Sequence, residues 1–455
     1  MEGSIPAASN DIENQYIQLE TAMIEELNRL SPMSPSRCIF RVPDRLRRIR
    51  EEDYTPRVIS IGPLHHGNQA LKAMEEHKMR YLKCFMGRTN FSMKDTIRKI
   101  KDQEAKLRSC YLETIVLTSD EFVRIILVDA IFIIEFLYKF SYPELQDEND
   151  CIFGKPRMVC DVYPDLLMLE NQLPFFILED LFDPHIFLVP SKYSDRIDGV
   201  ERLSILFLSH YFLNYGPTFE GMLDNLETIH SSEDQVQHLV DLLRKLCTAP
   251  LLKEQSVSFK QQKKEQFAGQ SKFISAPSIE ELHLAGVKFE VGSTKNLFDI
   301  QFKDGVLKIP KFKAEDTTKL ILRNLIAFEQ CTSTAEVYYI SDYIFIMDLF
   351  VDTPKDVELL VEFGIVDCLG DGDNELSTMI NSVAAGIWLN FNKFCYRTLC
   401  EDLNKFCNSK WHKSMANLRD NYFNTPWAII SFVAALLLLI LTVIQTISSI
   451  ISLKK

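Results

Sequence analysis

The sequence contains no phosphate-cradling G-x-x-x-x-G-K-S/T, no G-x-S-x-G and no assembled kinase signature. Nucleotide enzymes and serine hydrolases of familiar type are therefore not expected. It also lacks a basic stripe: the net charge is −13, and the densest cationic run, Lys260-Gln-Gln-Lys263-Lys264, is short and interleaved with glutamine. Duplex nucleic acid would be repelled, so no nucleic-acid partner is expected. The first thirty residues have no apolar core of the kind a signal peptide needs, and they carry Glu2, Asp11, Glu13, Glu20, Glu25 and Glu26. There is no repeat at a solenoid period. No C-x-x-C pair occurs among the eleven cysteines, which are scattered from Cys38 to Cys407 as reduced thiols of a large intracellular protein are.

What is present is a folded composition and one long apolar run. Apolar residues make up 46% of the 455 and charged residues 25%, close to the globular average. From Ala428 to Ile444 the chain reads AIISFVAALLLLILTVI without a charge. A helix from Trp427 to Leu453 is long enough to cross a bilayer with some tilt. Its lipid-facing residues would include Phe432, Leu436, Leu437, Leu438, Leu439, Leu441 and Ile444, with Trp427 at the interface and Pro426 in the first turn. Phe122 to Phe140 is nearly as apolar, but Arg124, Asp129, Glu135 and Lys139 would be costly in lipid, so a protein-buried helix is expected there. Lys410, Lys413 and Arg419 precede the run and only Lys454 and Lys455 follow it. The bias places the body in the cytosol, and with so little chain after the run, insertion is expected to follow translation: a tail-anchored, single-pass membrane protein whose first partner is the bilayer.

Within the body, Ile12, Tyr16, Leu19, Met23, Leu27 and Leu30 recur at helical spacing, an amphipathic helix expected to pack back on its own body rather than on a partner. Helices are expected at about 69–86, 93–117, 120–140, 165–182 (in pieces around Pro174), 200–215 and 235–246. Glu254 to Lys272 is polar and reads as a linker. Beyond it the period changes to alternation at 287–291, 297–302 and 306–309, and Lys303-Asp304-Gly305 is a hairpin signal. Helices resume at 316–329, 343–350, 354–363 and 374–404. The fold class is thus mainly α: a large helical body, a small antiparallel β-sheet insertion and one C-terminal transmembrane helix. The divisions are an N-terminal helix and linker over 1–36, a helical region over 37–253, the linker 254–272, an α+β region over 273–425 with its sheet near 287–310, and the anchor 426–453.

Five segments are distinctive together: FRVPDRLRRIREEDYTPRVISIGPLHHG over 40–67 with Met74-Glu-Glu-His-Lys78 behind it, DLLMLENQLPFF over 165–176, GVLKIP over 305–310, RNLIAFEQ over 323–330, and YFNTPW over 422–427. In this order they resemble a plant family known as domain of unknown function 247. The resemblance covers nearly the whole chain. It departs at Leu64, where the family often has an aromatic residue, and at Met79, where it often has tryptophan, which touches local packing alone. It implies a land plant source and a membrane anchor but no established reaction. Grass relatives implicated in pollen self-incompatibility suggest recognition or signalling.

Candidate chemistry is sparse. His65 and His66, with Glu75, Glu76 and His77 behind them, have the residue types of a metal or acid–base site without its spacing, since no H-E-x-x-H occurs. Following Gly-Pro, the first two imidazoles suit a turn's backbone. Asp129, Glu135, Asp165, Glu170 and Glu179 sit in apolar stretches, where split carboxylates can perform hydrolysis but paired structural carboxylates are the expectation, with Arg41, Arg45, Arg57 and Arg124 as partners. Glu170-Asn-Gln172 before Pro174 is expected to satisfy backbone groups at a helix break. Cys395, Cys400, Cys407 and His412 match no zinc spacing, and Asp367 to Glu375 lacks an EF-hand's fixed positions. No cofactor or metal is expected. The reading is a non-enzymatic recognition or scaffolding protein with protein partners; the alternative is a membrane-tethered enzyme using His65, His66 and His77 or the buried carboxylates.

Overall fold

The protein is described here from a computed structural model that covers residues 8–29, 37–89, 91–155, 157–183, 204–215, 229, 235–249, 274–294, 296–315, 317–332, 337–368, 373–409 and 426–453. The expected linker 254–272 lies outside these residues, as do Asn90 and His412. Two compact units form: the first from residues 1–216, 222–246 and 320–333, the second from 217–221, 247–319 and 334–455.

The first unit is built around one helix. Helix α1 is Ala8–Arg29, α2 is Lys72–Arg88 and α3 is Ser119–Ser141. In α3 a capping box starts the helix, with Thr118 and Glu121 each taking the other's backbone N–H. From there every residue from Phe122 to Lys139 is buried except Arg124. A helix apolar on all sides must be surrounded. Here α2, Met93–Asp102, Phe175–Leu181 and Ile205–Leu213 pack on it. Its far end sits in an aromatic cluster: Phe136 lies 5.9 Å from Phe132 and 5.6 Å from Phe212, and Phe212 lies 4.9 Å from Tyr163. Each such pair adds roughly 1 kcal/mol beyond its area. The expected contrast between this helix and the C-terminal run is therefore observed.

Helix α4, Thr318–Cys331, enters the unit from far along the chain. Asn324 Oδ1 accepts from the Leu169 N–H at 2.9 Å while its Nδ2 donates to the Asp53 carbonyl at 2.8 Å. Arg323 and Asp53 form a buried ion pair at 3.1 Å. By contrast the apolar stripe of α1 is uncovered, with Tyr16 68% and Leu27 62% exposed. The expectation that this helix packs back on the body is not met among the described residues. Its interleaved Glu20 and Glu26, both exposed, would be costly to desolvate.

A buried histidine in this unit sets an acid sensitivity. His238 Nε2 lies 2.9 Å from the Cys38 carbonyl and its Nδ1 accepts from the Asp241 N–H at 3.2 Å, which fixes the neutral Nε2–H tautomer. Burial pushes its pKa down to about 4, against 6.5 when free. Between those values the unfolded chain binds a proton that the folded chain refuses. Stability contributed by this group is thus complete above pH 6.5 and lost as pH falls toward 4, by roughly 3 kcal/mol. Urea unfolding across that window should show the loss in the native chain, and His238→Gln should remove this part of the pH dependence.

In the second unit, strands β1 (Lys288–Val291), β2 (Gln301–Lys303) and β3 (Val306–Ile309) form a sheet ordered β1-β3-β2. The β2–β3 hairpin is antiparallel with Phe302 opposite Leu307, and its turn places Asp304 at φ 52° and Gly305 at φ 78° as a type I′ turn requires. The sheet as a whole is mixed and not antiparallel, because β1 pairs with β3 in parallel, Lys288 opposite Val306. Strand β2, next in the chain, lies on the far side of β3 from β1. A second parallel pair, β4 (Phe312–Ala314) with β5 (Val366–Cys368), gave no alternation signal because each strand has three residues. The expected helix over 374–404 is two, Asp373–Ala384 and Arg397–Cys407, since Gly386 at φ 77° ends the first. Helix α5 is Pro426–Leu453. Its stretch Ile430–Ser448 has a mean hydropathy of 2.6 and none of it is buried, so it is long and apolar enough to cross a membrane.

Candidate functional site

Three of the carboxylates singled out in the sequence, Asp129, Asp165 and Glu170, meet one segment, 54–67, which runs through the first unit without a regular strand ladder. Such a segment must find other partners for its backbone. Asp165, wholly buried, accepts from the N–H groups of Arg57 (3.0 Å), Val58 (2.7 Å) and Ile59 (2.9 Å). Burial raises its carboxyl above the ordinary range despite these donors. Asn171 Oδ1 takes the Ile61 N–H at 2.6 Å and its Nδ2 donates to the Ile59 carbonyl at 3.0 Å. Asp129 Oδ2 takes the Gly62 N–H at 2.8 Å. Gly62 itself has φ 71°, and a Cβ there would lie 2.8 Å from the Gln172 carbonyl, so no side chain fits.

Beneath the segment sits a buried cation that sequence reasoning passed over. Lys78, 1% exposed, donates to the Ser60 carbonyl at 2.8 Å and pairs with Asp129 at 2.5 Å and Glu75 at 2.6 Å. Burial alone would depress its ammonium, but the two carboxylates outweigh that and hold its pKa above the ordinary value. A signal existed: Lys78 stands on the same α2 stripe as Met74, Tyr81, Leu82 and Phe85, where a lysine has no route to water.

Glu170 closes the other end. It accepts from the Val42 N–H at 2.7 Å, pairs with Arg47 and with Arg41 at 3.2 Å, and lies 3.1 Å from His65 Nε2. Burial would raise its carboxyl, but the close approach of His65 and the Val42 and Arg47 hydrogen bonds hold it below the ordinary value. Gln172 Nε2 donates to the Leu166 and Met168 carbonyls, so the Glu170-Asn-Gln172 run satisfies backbone groups. Glu135 pairs with Arg88 instead, away from this segment. Of the expected arginine partners, Arg41 serves; Arg57 contributes its backbone N–H, Arg45 reaches Gln330, and Arg124 makes no ion pair among the described residues. Arg124 is the one exposed residue on an otherwise buried stretch of α3, which is why it can stay hydrated.

The three histidines are not brought together. His65 and His66 line a cleft of about 370 Å³ with Ser60, Lys72, Glu75 and Asp129, and His77 is not among its lining residues. His66 is exposed, whereas His65 is largely shielded, its Nε2 lying 3.1 Å from Glu170 without the geometry of a hydrogen bond. Among the described residues no three His, Cys, Asp or Glu side chains are placed to share a metal ion. Cys400 is buried, Cys407 half-buried and Cys395 exposed.

A family model for DUF247, described as a plant protein of unknown function, matches residues 39–441. The chain belongs to this family. The match starts just ahead of the 40–67 segment and ends inside α5, so the backbone-holding residues and most of the apolar helix are family territory. A UPF0481 protein of Arabidopsis thaliana is 26% identical over 433 residues, covering 91% of this chain and 86% of the relative. A putative UPF0481 protein of the same plant is 22% identical over 516 residues, covering 96% and 94%. No solved structure matches the chain.

Proposed function

We propose that this DUF247 protein is a membrane-tethered recognition protein, with a cytosolic body that binds other proteins and performs no chemistry of its own. The observation that carries this reading is the commitment of Asp129, Asp165 and Glu170: each is engaged by backbone N–H groups, and Asp129 and Glu170 by cations as well, which leaves none of them as a free acid or base. The apolar helix α5 supports the tether, and the cationic excess ahead of it, Lys410, Lys413 and Arg419, supports the cytosolic side. A second reading, an enzyme of unfamiliar type, draws on one observation, that His65 and His66 share a cleft.

Proximity labelling from the native membrane, with the anchor intact, should enrich a restricted set of proteins. In parallel, the full chain in nanodiscs should leave a plant metabolite extract unchanged over time relative to a heat-denatured control. Time-dependent conversion of any metabolite would overturn the reading in favour of the enzyme. The topology has its own marker in Asn90-Phe91-Ser92, an N-glycosylation acceptor sequence. A cytosolic body never meets the lumenal transferase, so glycosidase treatment should leave the protein's mobility unchanged, and a glycan at Asn90 would invert the orientation.

A further inference from the structure

The cleft beside the 54–67 segment carries polar groups that the scaffold does not use. Its carboxylates are committed: Asp129 and Glu75 share Lys78, and Glu121 accepts from the Thr118 amide at 3.0 Å and hydroxyl at 2.7 Å. Its cations are not. Lys72 and Arg124 both line the cleft, both are exposed, and neither makes an ion pair or hydrogen bond among the described residues. The buried cations of the same unit, Lys78, Lys139 and Arg323, are each paired with a carboxylate.

A second, independent observation lies at the cleft's inner wall. Ser60 is 2% exposed, lines the cleft, and its Oγ has no hydrogen-bond partner. A buried hydroxyl left without a partner is destabilising, which an incoming acceptor would relieve. The cleft also opens at the N-terminal end of α2, a helix of 17 residues preceded by the lining residues Asn68 and Gln69. That end carries the positive pole of the helix. A volume of about 370 Å³ falls at the small end of the range for small-molecule sites and excludes a folded partner.

We propose that this cleft binds a small organic anion, a carboxylate or a phosphate monoester, with Lys72 and Arg124 as charge partners and the Ser60 hydroxyl as hydrogen-bond donor. Glu75 and Glu121 on the same walls select against highly charged anions, so the ligand carries one anionic group and otherwise neutral hydrogen-bonding groups. The inference goes beyond the recognition reading and does not depend on it: the body can bind proteins whether or not this cleft is occupied.

The test is calorimetric titration of the full chain in nanodiscs of zwitterionic lipid with inorganic phosphate, glycerol phosphate and lactate, ionic strength held constant with sodium chloride. Saturable binding of at least one probe is expected. The double variant Lys72→Gln, Arg124→Gln should weaken it at least tenfold while keeping the thermal midpoint of the unliganded chain, because neither side chain has a partner to lose. Ser60→Ala should weaken it several-fold, and a control at exposed Lys83, which does not line the cleft, should not. Suppression of the binding in nanodiscs containing phosphatidic acid would identify a lipid headgroup as the anion; unaltered binding would identify a soluble metabolite. Absence of saturable binding by all three probes, or equal binding by the double variant, overturns the proposal.

Discussion

Replacing Asp165 by alanine should cost the first unit about 4 kcal/mol and leave little folded protein. The substitution deletes the acceptor for three consecutive backbone N–H groups, those of Arg57, Val58 and Ile59. An unsatisfied buried donor costs roughly 1–3 kcal/mol, and the small cavity left behind gives little access to water. Because neighbouring losses are not additive, the expected total sits below the upper sum. Measured against a domain stability of roughly 5–15 kcal/mol, it is a large fraction. Asp165→Asn keeps one side-chain oxygen for the same N–H groups and should cost about half as much. Urea unfolding of the full chain in detergent reads both. An unchanged midpoint for Asp165→Ala, together with loss of the protein's cellular role, would show that the carboxylate works on a ligand rather than on the backbone.

This expectation shows which parts of the molecule were legible in the sequence. Asp129, Asp165 and Glu170 stand out as carboxylates in apolar stretches, and pairing was the expected fate. What they pair with was not readable. Asp165 holds residues 106 to 108 positions earlier, and Asn324 reaches Asp53 across 271 positions, distances at which no local pattern survives. Segment 54–67 also has neither a helical nor an alternating period, because its hydrogen bonds go to side chains and not to a ladder. The elements that were legible are those whose cause is local. Helix α3 follows from an unbroken apolar run punctuated by four charges, the β2–β3 hairpin from Asp304-Gly305, and α5 from its uninterrupted apolar length. The parallel placement of β1 was hidden because strand direction depends on the path between β1 and β2, and the exposure of α1 was hidden because an amphipathic stripe does not name what covers it. In the cleft, His65 and His66 were visible as a pair of unusual residues, whereas Lys72, Arg124 and Ser60 have nothing in their local sequence to set them apart.

Removal of the chain from Pro426 onward should change its partition between membrane and water by several thousand-fold. Phe432, Val433, Leu436, Leu437, Leu438, Leu439, Ile440, Leu441, Val443 and Ile444 are all exposed on α5, with Leu438 65% and Leu439 64% accessible. At roughly −0.5 kcal/mol for each such residue near the middle of a bilayer, the run supplies about −5 kcal/mol, close to four powers of ten. The two compact units contain no second helix of that kind among the described residues, since α3, the other long apolar helix, is buried within the first unit. Alkaline carbonate extraction of membranes carrying either the full chain or a chain ending at Thr425 tests the account most directly. The full chain should stay in the membrane pellet and the shortened chain should appear in the supernatant; a shortened chain that remains in the pellet would contradict a body tethered by α5 alone.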